Sequence, residues 1–320
     1  MKVRKKNVVT IGGGSGQFTL LNSLRLIPNI NITAVVSMAD SGGSTGILRD
    51  QYGVLPPGDV LKCLIALSPY EDARAILQTR FSKHSLLHNH NAGNFLLTFL
   101  SNHTGGDFPA AIEAIGEILK IQGRVIPVTI DKVTLVAELT NGEHIYGEQA
   151  IDTRRKNGYI GIKRVTLIPH HGSIAVYPPA VEALKEADYI IVGPGDLFTS
   201  IIPNFLVKEV SRAVEKNSKA RYIYIMNLLT KYGETHDFTP SDFFKTISYY
   251  IKRKFDTVLI NGKKPSLELQ EKYKKERARF LLSEKNSPKF YAVHNLLSEI
   301  GGIARHDVKA LADALKLLLH

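Results

Sequence analysis

Val8-Val9-Thr10-Ile11-Gly12-Gly13-Gly14-Ser15-Gly16 is a short β-branched run that stops at four glycines in five residues and leads into a helical pattern over Gln17–Leu26. A strand, a glycine turn and a helix start in that order aim several backbone N–H groups and the positive end of a helix dipole at one spot. Glycine lets a phosphate approach that spot closely. The stretch therefore predicts a nucleotide or another phosphorylated ligand and an α/β chain. Its spacing excludes two common ligands. A dinucleotide fingerprint needs Gly-x-Gly-x-x-Gly, but the sixth place is Gln17 counted from Gly12 and Thr19 counted from Gly14. No Walker lysine followed by Ser or Thr completes the loop either.

Outward from this stretch, similar apolar runs recur at Ile32–Met38, Val125–Ile130, Tyr189–Val192, Arg221–Met226 and Thr257–Ile260. Helical patterns lie between them, among them Gly58–Leu67, Asp72–Ser82, Pro109–Lys120, Pro203–Glu215, Pro240–Lys252 and Asp307–Leu319. Strands apolar on both faces, alternating with helices, predict a Rossmann-like three-layer α/β sandwich with a mainly parallel sheet. Val133–Leu139 and Glu143–Tyr146, joined through Thr140-Asn141-Gly142, predict an antiparallel hairpin instead. One continuous domain over residues 1–320 is expected, with a hairpin elaboration at about 131–150 and a basic helical part from about 262. Ligands of an open parallel sheet bind beyond the carboxyl ends of its strands, so the loops gathered there are the place to look.

The 320 residues carry a formal net charge of +11 and a single Cys63. No apolar run reaches the ~18 residues of a membrane span, and the N-terminus lacks the apolar stretch of a signal peptide. One cysteine excludes an internal disulfide and fits a reducing cytoplasm; its setting in Val60–Ile65 reads as packing. Between Lys252 and Lys289, twelve Lys and Arg face five Asp and Glu, which reads as solvated helix surface. Trp is absent and the aromatics are not spaced as a stacking platform, so nucleic acid is not an expected partner. A homo-oligomer is left open.

Three further loops carry chemistry. Asp40-Ser41-Gly42-Gly43-Ser44-Thr45-Gly46 offers a carboxylate, hydroxyls and glycine N–H groups suited to a sugar hydroxyl or a metal-bound phosphate. His88-Asn89-His90-Asn91-Ala92-Gly93-Asn94 precedes an apolar helix. Asn94 reads as its N-cap or as an amide aimed at a ligand, and the histidines lack the extra ligands a metal needs. Gly193-Pro194-Gly195-Asp196 leads to Thr199 and Ser200 at a helix start, where they cap the helix or meet a phosphate. No hydrolase triad is expected: Gly14-Ser15-Gly16 is too tight for a nucleophile elbow, and His170-His171 reads as a solvated turn.

Together these loops, with Pro56-Pro57-Gly58-Asp59, Gly233-Glu234-Thr235 and Ile303-Ala304-Arg305-His306-Asp307, resemble the gluconeogenesis factor (YvcK-like) family. That family lies within the CofD-like superfamily, whose enzymatic branch is 2-phospho-L-lactate transferase. The resemblance runs from about Asn7 to about residue 318. It implies a cytoplasmic protein that binds nucleotide sugars such as UDP-N-acetylglucosamine and acts in gluconeogenic growth, cell-wall precursor control and cell shape. It further implies that Gly12, Gly13, Gly14, Ser15 and Gly16 take the diphosphate. Asp40, Gly42, Gly43, Ser44, His90, Asn94, Gly193, Thr199, Ser200, Tyr273 and Arg305 would surround the ligand. The transferase alternative would use Mg²⁺ on Asp40, with Asp40 and Asp196 as candidate catalytic acids; the binding reading needs no cofactor. Departures stand at Ser41, where the family pattern has a second acid, at Asp196, where it has Ser, and within Met226–Thr235, where its pattern is Met-Thr-Gln-Pro-Gly-Glu-Thr.

Overall fold

The computed structural model describes residues 4–82, 85, 87, 88, 90–154, 159–283 and 288–319. Its strands are β1 (Lys6–Gly12), β2 (Ile30–Val36), β3 (Arg124–Pro127), β4 (Val133–Leu139), β5 (His144–Tyr146), β6 (Ile162–Pro169), β7 (Tyr189–Val192), β8 (Arg221–Ile225), β9 (Thr257–Asn261), β10 (Tyr291–His294), β11 (Leu297–Ser298) and β12 (Arg305–His306). Seven of them form one sheet in the order β10-β9-β8-β7-β1-β2-β3, and every neighbouring pair is parallel. Val8, Ile190 to Val192 and Val258 to Ile260 are solvent-inaccessible, as expected of strands covered on both faces. The fold is Rossmann-like α/β with small antiparallel sheets beside it.

The order decides where a ligand goes. From β1 the chain builds outward to β2 and β3, then returns to the other side of β1 and builds outward through β7, β8, β9 and β10. Right-handed crossovers running in opposite directions put the two groups of helices on opposite faces. One group packs around Gly14–Leu24 and includes Gly58–Leu67 and the C-terminal Val308–Leu318. The other includes Pro178–Glu186, Lys208–Lys216 and Pro240–Ile251. The crevice at the carboxyl ends of β1 and β7 is the switch point of the sheet.

The hairpin forms, with Gly142 at φ 89° and Glu143 N–H donating to Asn141 Oδ1 at 3.1 Å. β6 pairs with the other side of β4, so the elaboration is a three-stranded antiparallel sheet, β5-β4-β6. Four expectations change. Gly43–Gly46, read as part of the Asp40–Gly46 loop, instead begin a helix over Gly43–Tyr52. Asp72–Ser82 shrinks to Ala73–Leu77. Pro203–Glu215 breaks into Ile202–Phe205 and Lys208–Lys216. Among the described residues, the basic part beyond 262 is α-helical over Leu267–Lys275 and Val308–Leu318, and between them it supplies the edge strand β10 and the β11–β12 pair. Among the described residues, no helix is long and apolar enough to cross a membrane.

Candidate functional site

β1 ends at Gly12, and Gly13 is extended before Gly14 turns to φ +65° and opens the Gly14–Leu24 helix. No side chain caps that helix and its first turn holds no acid, so its leading N–H groups are left for an anion. Gln17, in the place a fingerprint would give its last glycine, explains the different spacing. It is buried, and its Nε2 donates to Thr10 Oγ1 at 3.0 Å and to the Val35 carbonyl at 3.3 Å, tying the helix to β1 and β2.

The Gly193–Asp196 loop after β7 lies against this turn. A Cβ on Gly16 would collide with the Pro194 carbonyl and lie 3.0 Å from Gly195 N. Thr199 and Ser200 do not start an α-helix. They lie in a π-helical turn, Leu197–Ile201, where a Cβ on Gly14 would be 3.4 Å from Ser200 Oγ. Buried Asn204 locks both loops by donating from Nδ2 to the carbonyls of Gly12 (3.3 Å), Ser200 (3.0 Å) and Ile201 (3.1 Å).

Two chambers open at the switch point and share Ser15, Gly16, Gly195, Asp196 and Asp152 as a common wall. The smaller, about 280 Å³, also takes in Gly13, Gly14, Asp40, Asp59, Lys62, Glu148, Thr199 and Ser200. The larger, about 1170 Å³, runs past Asn227 and Lys231 to Tyr273, Arg277 and Arg305. Tyr273 stacks edge-on against Phe280 with centroids 5.6 Å apart, and its hydroxyl accepts from Ala304 N–H at 3.1 Å.

The smaller chamber is crowded with carboxyls. Burial, with Asp59 second, pushes the Asp40 pKa up to about 6. Glu148 is pushed up to about 8 by burial and by Asp40 and Asp152. It stands beside Ser41, whose backbone N–H donates to Glu148 Oε2 at 3.4 Å, so the elaboration brings an acid close to the missing one. Lys62 Nζ pairs with Asp59 Oδ1 at 2.8 Å, and that carboxylate raises its pKa above the usual lysine range.

A second cluster joins three segments. Lys231 Nζ lies 2.7 Å from Asp196 Oδ2 and 2.9 Å from Glu234 Oε1, and it also bonds Asp152. Burial alone would lower the lysine pKa, but Glu234, Asp196 and Asp152 outweigh it and raise it. Glu234 is itself buried, and burial followed by Asp196 pushes it up to about 8. Asp152, Asp196 and Glu234 are the one trio of metal-type ligands found close together among the described residues, and it excludes Asp40. Its cation is an ammonium.

The structure thus brings Gly13 to Gly16, Asp40, Asp196, Thr199 and Ser200 together, with Tyr273 and Arg305 across the larger chamber. Gly12 ends its strand beneath the turn. Gly193, at φ +74°, packs where a Cβ would lie 2.9 Å from the Ile225 carbonyl. Gly42, Gly43, Ser44, His90 and Asn94 line neither chamber. The N-cap of the 92–103 helix is Asn91 rather than Asn94: Asn91 Oδ1 accepts Asn94 N–H at 2.7 Å. Asn94 donates instead to Ser44 Oγ at 3.3 Å, and Ser44 Oγ is 3.0 Å from His90 Nδ1. Gly42-Gly43-Ser44-Thr45-Gly46 does spell Gly-x-Ser-x-Gly, yet Ser44 and His90 are both buried, so the pair clamps the 43–52 helix to the 92–103 helix and presents no nucleophile. Asp59, Lys62, Glu148, Asp152, Lys231 and Glu234 were not singled out from the sequence. Asp59, Lys231 and Glu234 stood inside stretches that the sequence marked, Pro56–Asp59 and Met226–Thr235.

The chain is similar to known proteins in sequence and in fold. The family described as 2-phospho-L-lactate transferase CofD matches residues 8–295. A Listeria innocua protein named gluconeogenesis factor is 38% identical over 322 residues, spanning 99% of this chain and 97% of its own. A Halalkalibacterium halodurans protein of the same name is 35% identical over 319 residues, spanning 98% and 96%. The crystal structure of a UPF0052 family member from Bacillus halodurans superposes with a TM-score of 0.89 at 34% identity, covering 97% of this chain and 99% of that one. The chain belongs to the CofD family and is of the gluconeogenesis factor type.

Proposed function

We propose that this protein binds a nucleotide sugar, such as UDP-N-acetylglucosamine, and acts as a cytoplasmic regulator of cell-wall precursor supply and cell shape during gluconeogenic growth. The observation that carries the reading is the uncapped Gly14–Leu24 helix start opening onto two joined chambers. A diphosphate on the first-turn N–H groups would leave the nucleoside in the larger chamber near Tyr273 and Arg305 and the sugar beside Asp40 and Thr199. An aromatic ring and a guanidinium suit a base and a phosphate. Calorimetry with UDP-N-acetylglucosamine is expected to show micromolar-range binding, competition by UDP and an unchanged ligand after long incubation. Absence of heat and of competition would refute the reading.

A second reading is favoured by the carboxyl crowding around Asp40 and by the name of the matched family. It is a transferase moving a phosphoryl-linked group from a nucleotide donor to an acceptor hydroxyl. Asp40 and Asp59 would hold a Mg²⁺: burial first and Asp59 second push Asp40 up, and a divalent cation would offset the Asp59 contribution. The metal would offset charge on a donor diphosphate. The helix N–H groups orient that diphosphate, and Thr199 and Ser200 offer hydroxyls to the acceptor side. Chromatographic release of GMP or UMP, abolished in Asp40→Asn, is the expected sign of this reaction.

A further inference from the structure

The wall between the two chambers carries two acidic side chains, Asp152 and Asp196, beside the turn where an anion would sit. Asp196 follows the Pro194–Gly195 segment that packs on Gly16, and Asp196 and Asp152 line both chambers. A phosphate held by the N–H groups after Gly13 therefore shares its space with two carboxylates. Among the described residues, Lys231 is the one cation paired with either of them, at 2.7 Å from Asp196 Oδ2 and in direct contact with Asp152. Lys62 is engaged with Asp59 at 2.8 Å, and Arg305 lines only the larger chamber. Glu234, the third partner of Lys231, keeps Oε2 buried without a hydrogen bond, so this cluster is held by the ammonium and not by a closed set of neutral bonds.

We propose that Lys231 is a specificity-determining positioning residue whose ammonium neutralises Asp196 and Asp152 so that the glycine turn accepts phosphate groups. The inference rests on the nucleotide-sugar reading and extends it. Lys231 admits the charged part of the ligand, and Asp196 is the residue that would otherwise exclude it. Asp196 stands in the loop after β7 and Lys231 in the loop after β8. The structure shows them to be partners.

The test is a charge-removal double-mutant cycle read with pyrophosphate, UDP and uridine on the full chain. K231Q is expected to weaken pyrophosphate and UDP roughly tenfold or more, the size of an unneutralised like-charge contact. D196N is expected to tighten both, and K231Q/D196N to recover most of the affinity lost in K231Q. Uridine, which has no phosphate, competes equally in all variants. Melting temperatures of the ligand-free variants separate this role from a strap that only holds three loops together. Unchanged phosphate binding in K231Q, or a loss that D196N does not repair, would overturn the proposal. A wild-type chain that binds pyrophosphate but not UDP would sink the nucleotide-sugar reading while the pyrophosphate series still decides the role of Lys231. Binding of neither removes both.

Discussion

At Gly16 a single hydrogen separates the two halves of the site, because a methyl there meets the Pro194 carbonyl. Gly16→Ala is expected to lower stability by about 1–3 kcal/mol, the usual cost of forcing atoms into a packed contact, and urea unfolding would measure it. Arg305 is exposed, so Arg305→Ala should leave the melting temperature alone. It should weaken UDP-sugar binding roughly tenfold, as loss of a charge-assisted contact does; titration of the variant checks both halves. Residues differ in how openly they announce such roles. Gly13 to Gly16 were legible because glycine at a strand–helix junction is itself the signal. Glu148, Asp152 and Lys231 were not, since an acid or lysine on a short helix or loop usually faces water. Only tertiary packing shows that these reach one chamber.

Among elements, the five interior runs were readable because burial on both faces leaves them almost wholly apolar, and the edge strand β3 was readable because Val125 and Ile126 are buried as well. β10 hid for the opposite reason: it is an edge strand, with Val293 49% exposed, so its pattern lacks the double burial of its neighbours. The 43–52 helix was masked by its own start, where Gly42 and Gly43, the latter at φ +44°, read as loop. Where capping chemistry was spelled out, the reading was secure. Thr239 and Asp242 form a complete capping box on the Pro240–Ile251 helix. Thr239→Ala is expected to cost about 1 kcal/mol, visible as a lower urea midpoint with an unchanged slope.

For the whole molecule, the site's charge sets how stability follows pH. Glu148 and Glu234 have folded pKa values near 8, above their unfolded values. The folded chain then binds more protons than the unfolded chain between about pH 4.5 and pH 8. Their stabilising contribution is complete below that window and is lost as pH rises through 8. Each group contributes at most about 1.4 kcal/mol per pH unit while it titrates. Ligand-free protein should therefore unfold more easily at pH 8.5 than at pH 6.5, and Glu148→Gln should flatten the slope. A stability that rises over this range would contradict the burial of these carboxyls.

The strand order also governs how the chain is made. β1 is the first strand of the sheet to be synthesised and ends up inside it, yet its partner β7 begins only at Tyr189. At ~5–20 residues per second, the hydrogen-bonding edge of β1 that faces β7 stays unpaired for roughly ten to thirty seconds of synthesis. During that interval the nascent N-terminal half carries a naked parallel edge beside its glycine turn, and chaperone cover matters most there.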